Sequence, residues 1–115
     1  MTGCAGSANK LGYITNKELS DLVKAENAPI VLDARSSWEY EKGHVPGAIH
    51  VPFWIAYFEA ERISRVRSQP VVVYCEHGPR AGIAKFGLYL AGFENVIYLR
   101  GHMAQWKQAG FAIER

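Results

Sequence analysis

The segment VVVYCEHGPRAGIAKFGLYL, Val71 to Leu90, predicts a strand, a tight loop and a helix in direct succession. Its first four residues are β-branched or aromatic, which favours a strand that ends just before Cys75. From Ala81 to Ala91, small and apolar residues recur at three- and four-residue steps, as in a helix packed against a core, and Gly92 offers a C-cap. The chain therefore places a thiol on the turn between a strand end and a helix start.

Strands and helices alternate on both sides of this segment. Short apolar runs predict strands near residues 30, 48 and 96, and Tyr13 and Ile14 predict a shorter one. Thr15 and Glu18 have the spacing of a capping box, which indicates a helix start. Apolar strands without polar alternation are typical of a parallel sheet that is covered on both faces. We therefore expect an α/β sandwich around a parallel sheet.

Two aromatic-containing segments complete the predicted helices. Residues 53–66, FWIAYFEAERISRV, are expected to be helical, although the first turn is apolar all round. Residues 103–110, MAQWKQAG, give a last helical piece that ends at a glycine. Aromatic side chains before and within the first segment are assigned to the core, with some at the mouth of the site: Trp38, Trp54, Tyr57 and Phe58.

Length and composition favour one globular domain. The chain has 115 residues, of which 49% are hydrophobic and 21% charged. We expect residues 1–11 to be a flexible tail and residues 12–115 to be a single domain. The net charge of +2 gives no reason to expect a nucleic-acid partner, and no apolar run is long enough to span a membrane.

Cys4 and Cys75 are too few for a disulfide framework, which favours a reducing compartment. The opening MTGCAGS resembles the end of a bacterial lipoprotein leader, but the apolar stretch that should precede it is missing. We take Met1 as the start and expect a cytoplasmic protein. The alternative is a periplasmic or lipid-anchored one, if a leader before Cys4 was removed.

The loop after Cys75 has features that activate a thiol. A strand-to-helix turn aims backbone N–H groups at one point, and the helix start adds partial positive charge, so a thiolate there is stabilised. Gly78 permits the dihedral angles of a tight loop, Pro79 stiffens the loop, and Arg80 brings a permanent positive charge. This placement favours a functional thiol over an inert one in the core.

Three chemistries compete for this loop. Four residues separate Cys75 from Arg80, one fewer than in loops that cleave phosphate esters through cysteine, so the ring suits one added sulfur better than a phosphate. A dithiol redox site would need a second cysteine nearby, which CEHG lacks. Sulfur transfer, in which Cys75 forms a persulfide that a second nucleophile discharges, is therefore ranked first.

The remaining polar residues have structural interpretations. Asp33 and Arg35 are expected to form an ion pair that supports the site, and Glu39 is expected to stabilise a turn. His50 and His102 have no companions at metal-ligand spacing, so no metal is expected.

Motifs along nearly the whole chain, Tyr13 to Glu114, resemble those of single-domain rhodaneses. They are LDARSSWEYEKGHVPGAIHVP (32–52), CEHGPRAG (75–82), GFENVIYLRG (92–101) and the tryptophan that follows. The resemblance implies a three-layer sandwich whose central, mainly parallel sheet has about five strands flanked by helices. It also implies a sulfurtransferase without cofactor, which takes sulfur from a donor such as thiosulfate and passes it to cyanide or a thiol, a thiol-carrying protein included.

The resemblance also implies residue roles. Cys75 is the residue that carries the persulfide, and the active-site loop that binds substrate follows it: Glu76, His77, Gly78, Pro79 and Arg80. Two positions depart from the family. Glu76 stands where thiosulfate-preferring loops often have a basic residue, so we expect its carboxylate to point outward, and His102 stands where a second glycine is usual. A binding or sulfur-sensing module without catalysis is the alternative function.

Overall fold

The computed structural model describes residues 12–115, which form one five-stranded parallel sheet. The order of the strands across the sheet is β1-β5-β4-β2-β3, so β4 lies at the centre. The strands are β1 (Tyr13–Ile14), β2 (Ile30–Asp33), β3 (Ile49–His50), β4 (Val71–Tyr74) and β5 (Val96–Leu99). The expected α/β architecture and all five predicted strands are confirmed, and the tail predicted for residues 1–11 lies outside the described residues.

Within residues 12–115, four α-helices and one short 3-10 helix connect the strands, and a fifth α-helix follows the last strand. They are α1 (Asn16–Lys24), α2 (Ser37–Lys42), the 3-10 helix (Phe53–Ile55), α3 (Ala60–Ile63), α4 (Pro79–Leu90) and α5 (His102–Gln108). Complete capping boxes begin both α1 and α2, with Thr15 and Ser36 as the N-caps. None of the helices within residues 12–115 is long and apolar enough to cross a membrane.

Helices cover both faces of the sheet and give the fold two hydrophobic cores. Alternate residues of β4 point to opposite faces, as the period of a strand requires. Val71 and Val73 belong to the core that α4 and the 3-10 helix complete. Val72 and Tyr74 belong to the second core, which includes Leu19 of α1 and side chains of α5. The three-layer arrangement predicted from the sequence is therefore confirmed.

The helix predicted for residues 53–66 is only partly present. The segment forms a 3-10 turn, irregular turns and the four residues of α3. Its first turn is apolar all round, so no single face could be buried along a continuous helix. The assignment of four aromatic side chains to the core is wrong, because all of them are exposed: Trp38, Trp54, Tyr57 and Phe58.

The helix after the cysteine loop, α4, begins earlier than predicted. It starts at Pro79 rather than at Ala81. The N–H groups of the first helical turn have no partner within the helix, so proline loses nothing there by lacking one, and its φ already suits a helix. Gly92 follows the helix with a φ of +102°. The N–H groups of Gly92 and Phe93 donate to the carbonyls of Tyr89 and Leu88, which is a Schellman motif and confirms the predicted C-cap.

Truncation of two leucines in α4 will test this packing. Leu88 is fully buried, whereas Leu90 is 57% exposed. Leu88→Ala leaves a cavity and should lower the free energy of unfolding by about 2–5 kcal/mol. Leu90→Ala, the matched control, should lower it by less than about 1 kcal/mol. Equal losses in urea unfolding would contradict the assigned burial of α4.

Candidate active site

Cys75 follows the last residue of the central strand β4 and is attached to the first turn of α5. The carbonyl of Cys75 accepts a hydrogen bond from the Met103 N–H at 3.0 Å, and the carbonyl of Glu76 accepts one from the Ala104 N–H at 3.1 Å. The N–H of Cys75 donates to Nδ1 of His102 at 3.2 Å. Hydrogen bonds to α5 therefore hold both the N–H group and the carbonyl groups at the start of the loop.

The sulfur of Cys75 lies under its own loop. The Gly78 N–H donates to Sγ at 2.9 Å, and the φ of +137° at Gly78 is one that side-chain-bearing residues rarely adopt. Among the residues described, Gly78 is the one whose backbone amide donates to the sulfur. The sequence predicted a ring of such amides. Cys75 has no exposed surface. A reagent therefore reaches the sulfur only after part of the loop moves.

Arg80, the last residue of the predicted loop, lies in the first turn of α4 and is engaged by Glu39 of α2. Its two terminal nitrogens donate to the two carboxylate oxygens of Glu39 at 2.7 and 3.0 Å, which is a bidentate pair. The same carboxylate accepts from the Ser36 N–H at the helix start. The hydrogen bond from Arg80 lowers the pKa of Glu39 to about 2. The anion that Arg80 binds in this structure is therefore a protein carboxylate.

Asp33 and Arg35 form the ion pair that the sequence predicted. Both side chains are buried, and the Arg35 guanidinium meets the Asp33 carboxylate at 2.7 Å. Burial alone lowers the pKa of Arg35, but the hydrogen bonds and the charge of Asp33 outweigh it and leave the pKa above its usual value. Asp33 also accepts from the Tyr74 hydroxyl at 2.8 Å, and Arg35 donates to the carbonyl of Gly43. The pair fixes the carboxyl ends of two neighbouring strands.

Glu76 is turned toward cations rather than outward. Its carboxylate contacts Arg35 at 3.1 Å and Lys107 of α5 at 2.9 Å, and its side chain is 20% exposed. The expectation that it points outward is therefore wrong, because a buried guanidinium with a free N–H group attracts the carboxylate. Lys107 was not identified as a site residue from the sequence. Its only sequence signal is its position, about one and a half turns into the last helix.

A groove of about 320 Å³ borders this cluster of charges. Basic side chains outnumber acidic ones along it: Arg35, Lys42, Lys107 and Arg115 against Glu39 and Glu76. A larger depression, of about 510 Å³, is lined by Arg100, Gly101 and Gln105 among others and by no residue of the 75–80 loop. His77 and Pro79 are exposed on the outer side of that loop.

Comparison with known proteins identifies the fold. A family model described as "Rhodanese-like domain" matches residues 15–109. The chain belongs to the rhodanese-like domain family. A solved rhodanese-like neighbour, the Alr3790 protein from Anabaena, superposes with a TM-score of 0.78 at 31% identity, and the match covers 87% of this chain and 80% of that one.

The relatives of this rhodanese-like chain that carry functional names include a sulfur carrier and tRNA hydroxylases. "Putative sulfur carrier protein YrkF" of Bacillus subtilis is 26% identical, over 87% of this chain and 53% of that protein. "tRNA uridine(34) hydroxylase" of Oceanobacillus iheyensis is 32% identical, over 84% of this chain and 31% of that protein. The chain thus spans about half, or less, of the length of these curated relatives.

The pair between Glu39 and Arg80 predicts a pH-dependent stability. The Glu39→Gln variant keeps an oxygen for the Ser36 N–H but loses the charge that Arg80 binds. At neutral pH we expect its free energy of unfolding to fall by about 1–2 kcal/mol. The wild-type advantage is present above pH 4.5, the ordinary pKa of the carboxyl, and disappears as the pH falls toward about 2, its pKa in the folded protein.

The matched control for this measurement is Glu41→Gln, on the exposed side of the same helix. Urea unfolding of the wild type and both variants between pH 2 and pH 7 gives the comparison. A loss for Glu39→Gln that stays constant across this range, or an equal loss for Glu41→Gln, would contradict the proposed contribution of the pair.

Proposed function

We propose that this protein is a sulfurtransferase that carries sulfane sulfur on Cys75. The observation that supports this best is the hydrogen bond from the Gly78 N–H to Sγ, within a loop that joins the carboxyl end of a parallel strand to a helix start. In open parallel sheets this edge is where ligands bind. The donated N–H and the helix start both favour negative charge on the sulfur. The relative named as a sulfur carrier is consistent with the same chemistry.

The proposed reaction has two displacement steps. The Cys75 thiolate attacks the outer sulfur of thiosulfate, the new S–S bond forms as the old one breaks, and sulfite leaves with the bonding electrons. The product is a persulfide whose terminal sulfur carries the negative charge. Cyanide or a thiolate then attacks that terminal sulfur, leaves as thiocyanate or as a new persulfide, and restores the Cys75 thiolate. Each step conserves charge and needs no oxidant, cofactor or metal.

The charged groups around the loop favour an anionic donor. Glu76 is the one carboxylate that adjoins Cys75 in sequence, and contacts with Arg35 and Lys107 neutralise it. The groove that borders this cluster carries a basic excess, which raises the local concentration of anions. The acid at a position where many family members are basic is therefore compensated by its partners.

Access to the sulfur depends on the outer half of the loop. Cys75 and Glu76 are held by hydrogen bonds to α5, whereas the exposed residues His77 and Pro79 lie outside those contacts. We propose that His77–Pro79 move aside to admit the donor while Cys75 stays in place. The Gly78 N–H then returns to the persulfide.

The burial of Cys75 supports a second candidate, a binding or sulfur-sensing module without turnover. The sulfur has no exposed surface, and Glu39 already binds Arg80. Both features suit a loop that serves as a docking surface and carries out no reaction. This candidate predicts that the wild type and Cys75→Ser bind a partner equally well and that neither takes up sulfur.

A thiol-carrying protein as the sulfur acceptor, and a cytoplasmic location, remain predictions.

Thiosulfate treatment followed by intact-protein mass spectrometry tests the first candidate. The wild type should gain about 32 Da, the mass of one sulfur atom, and should lose it again on addition of cyanide with release of thiocyanate. Cys75→Ser should gain nothing, because serine cannot form a persulfide.

Cys4→Ser is the matched control and should behave as the wild type, which assigns the added sulfur to Cys75. Failure of the wild type to gain mass with thiosulfate, mercaptopyruvate and a low-molecular-weight persulfide would refute the sulfurtransferase and favour the binding module. Hydrolysis of an aryl phosphate that depends on Cys75 would instead support the phosphatase chemistry that the loop length disfavours.

A further inference from the structure

His102, the first residue of α5, has an unusual backbone conformation. Its φ is +54°, in the left-handed region, directly after Gly101 at +79°. Residues other than glycine seldom adopt such a φ, and their retention there points to a compensating role of the side chain. The resemblance to rhodaneses indicates that glycine is usual at this position. This chain therefore has a histidine at a position whose backbone conformation favours glycine.

The imidazole of His102 is bonded to one end of the turn that encloses the sulfur and faces the other end. Its Nδ1 accepts the hydrogen bond from the Cys75 N–H at 3.2 Å. Its other nitrogen, Nε2, lies 3.4 Å from the point where a Cβ on Gly78 would stand. Gly78 in turn donates its N–H to Sγ at 2.9 Å. The ring is thus bonded to Cys75 and occupies the space into which a side chain at Gly78 would extend.

The contact with Cys75 specifies the protonation state of the ring. Because Nδ1 accepts a hydrogen bond, the neutral imidazole carries its proton on Nε2, and a proton on Nδ1 would break the contact. Burial, and then the charge of His77, lower the pKa of His102 below its ordinary value.

Titratable groups lie on each element around His102. On the loop they are Cys75 and His77, and on β5 the ring of Tyr98 lies 6.1 Å from the imidazole. Just before His102, Arg100 is bonded to the Tyr13 hydroxyl of β1, and the first charged side chain along α5, Lys107, is bonded to Glu76 of the loop.

We propose that His102 is a positioning residue for sulfur transfer, which holds the Cys75 amide and the Gly78 turn in the arrangement from which the persulfide forms. The inference rests on the function proposed above and adds to it a determinant specific to this chain. His102 contacts the backbone of the loop and acts on the sulfur through it. Removal of the ring leaves a backbone N–H without its acceptor and opens space behind Gly78, so the sulfur is held less firmly.

Two variants separate the hydrogen bond from the backbone conformation. Glycine and asparagine both tolerate a positive φ, but only asparagine offers an acceptor near the place of Nδ1. We expect His102→Gly to slow persulfide formation from thiosulfate about fivefold to tenfold, the loss typical of one hydrogen bond. His102→Asn should stay within about twofold of the wild type. His102→Asn should unfold near the wild-type temperature, because it keeps an acceptor and tolerates the positive φ. His102→Gly should unfold at a somewhat lower temperature, because the Cys75 amide loses its acceptor.

Two further readouts distinguish positioning from a merely structural role. The rate of persulfide formation in the wild type should fall at low pH as His102 takes up a proton, and His102→Asn should lack that component while it keeps any that belongs to Cys75. Hydrogen exchange of the Cys75 amide, followed by NMR, should be faster in His102→Gly than in His102→Asn, whether or not thiosulfate reacts.

The outcomes are distinct. An active wild type with His102→Gly at the same rate and the same pH profile overturns the role of His102 and leaves the sulfurtransferase intact. Equal slowing in both variants also overturns it, because the acceptor then makes no difference. A wild type that gains no sulfur refutes the sulfurtransferase, and the role of His102 in transfer with it, even where the exchange data confirm the hydrogen bond.

Discussion

The hydrogen bonds between the first turn of α5 and the backbone of Cys75 and Glu76 determine where the thiol lies. Strand β4 delivers Cys75 to the carboxyl edge of the sheet, but a strand end alone leaves the following peptide groups free to turn either way. The N–H groups of Met103 and Ala104 fix the two carbonyls, and His102 fixes the Cys75 amide. The fold therefore holds the thiol from an element more than 25 residues away in the chain. Packing of α5 against the sheet, through Met103 and Trp106, is consequently a requirement of the site as well as of the core.

Charge around the site is balanced pair by pair. The buried Arg35 is bound to Asp33, and its remaining N–H group reaches Glu76, while Arg80 is bound to Glu39. Removal of one partner from such a pair leaves an uncompensated charge in a poorly hydrated place, which costs more than the pair contributes. This balance explains how an acidic residue can directly follow the cysteine in a loop proposed to receive an anion.

The sequence was sufficient for the architecture because its strands are strongly apolar and its helix signals are local. The Thr15–Glu18 capping box and the C-cap at Gly92 each act within a few residues, and both are present in the structure. Prediction failed where the outcome depends on tertiary packing. An aromatic side chain such as Phe58 has no local signal that distinguishes a core position from an exposed one, and it is 79% exposed. The ion-pair partners of Glu76 could not be predicted from the sequence either, since Arg35 and Lys107 lie far from it in the chain.

The burial of the sulfur constrains any mechanism for this loop. A thiol without exposed surface is protected from adventitious oxidation and alkylation, but the donor proposed for it can reach it only through motion of the loop. If Cys75 moved with the rest of the loop, Sγ would lose its orientation. The distribution of hydrogen bonds argues for a divided loop, in which α5 anchors Cys75 and Glu76 and keeps the thiol in place, whereas His77 and Pro79 are exposed and make no bond to α5. His102 is bonded to Cys75 on the anchored side, and its Nε2 faces Gly78 on the other side, so the ring lies at the boundary between the two halves.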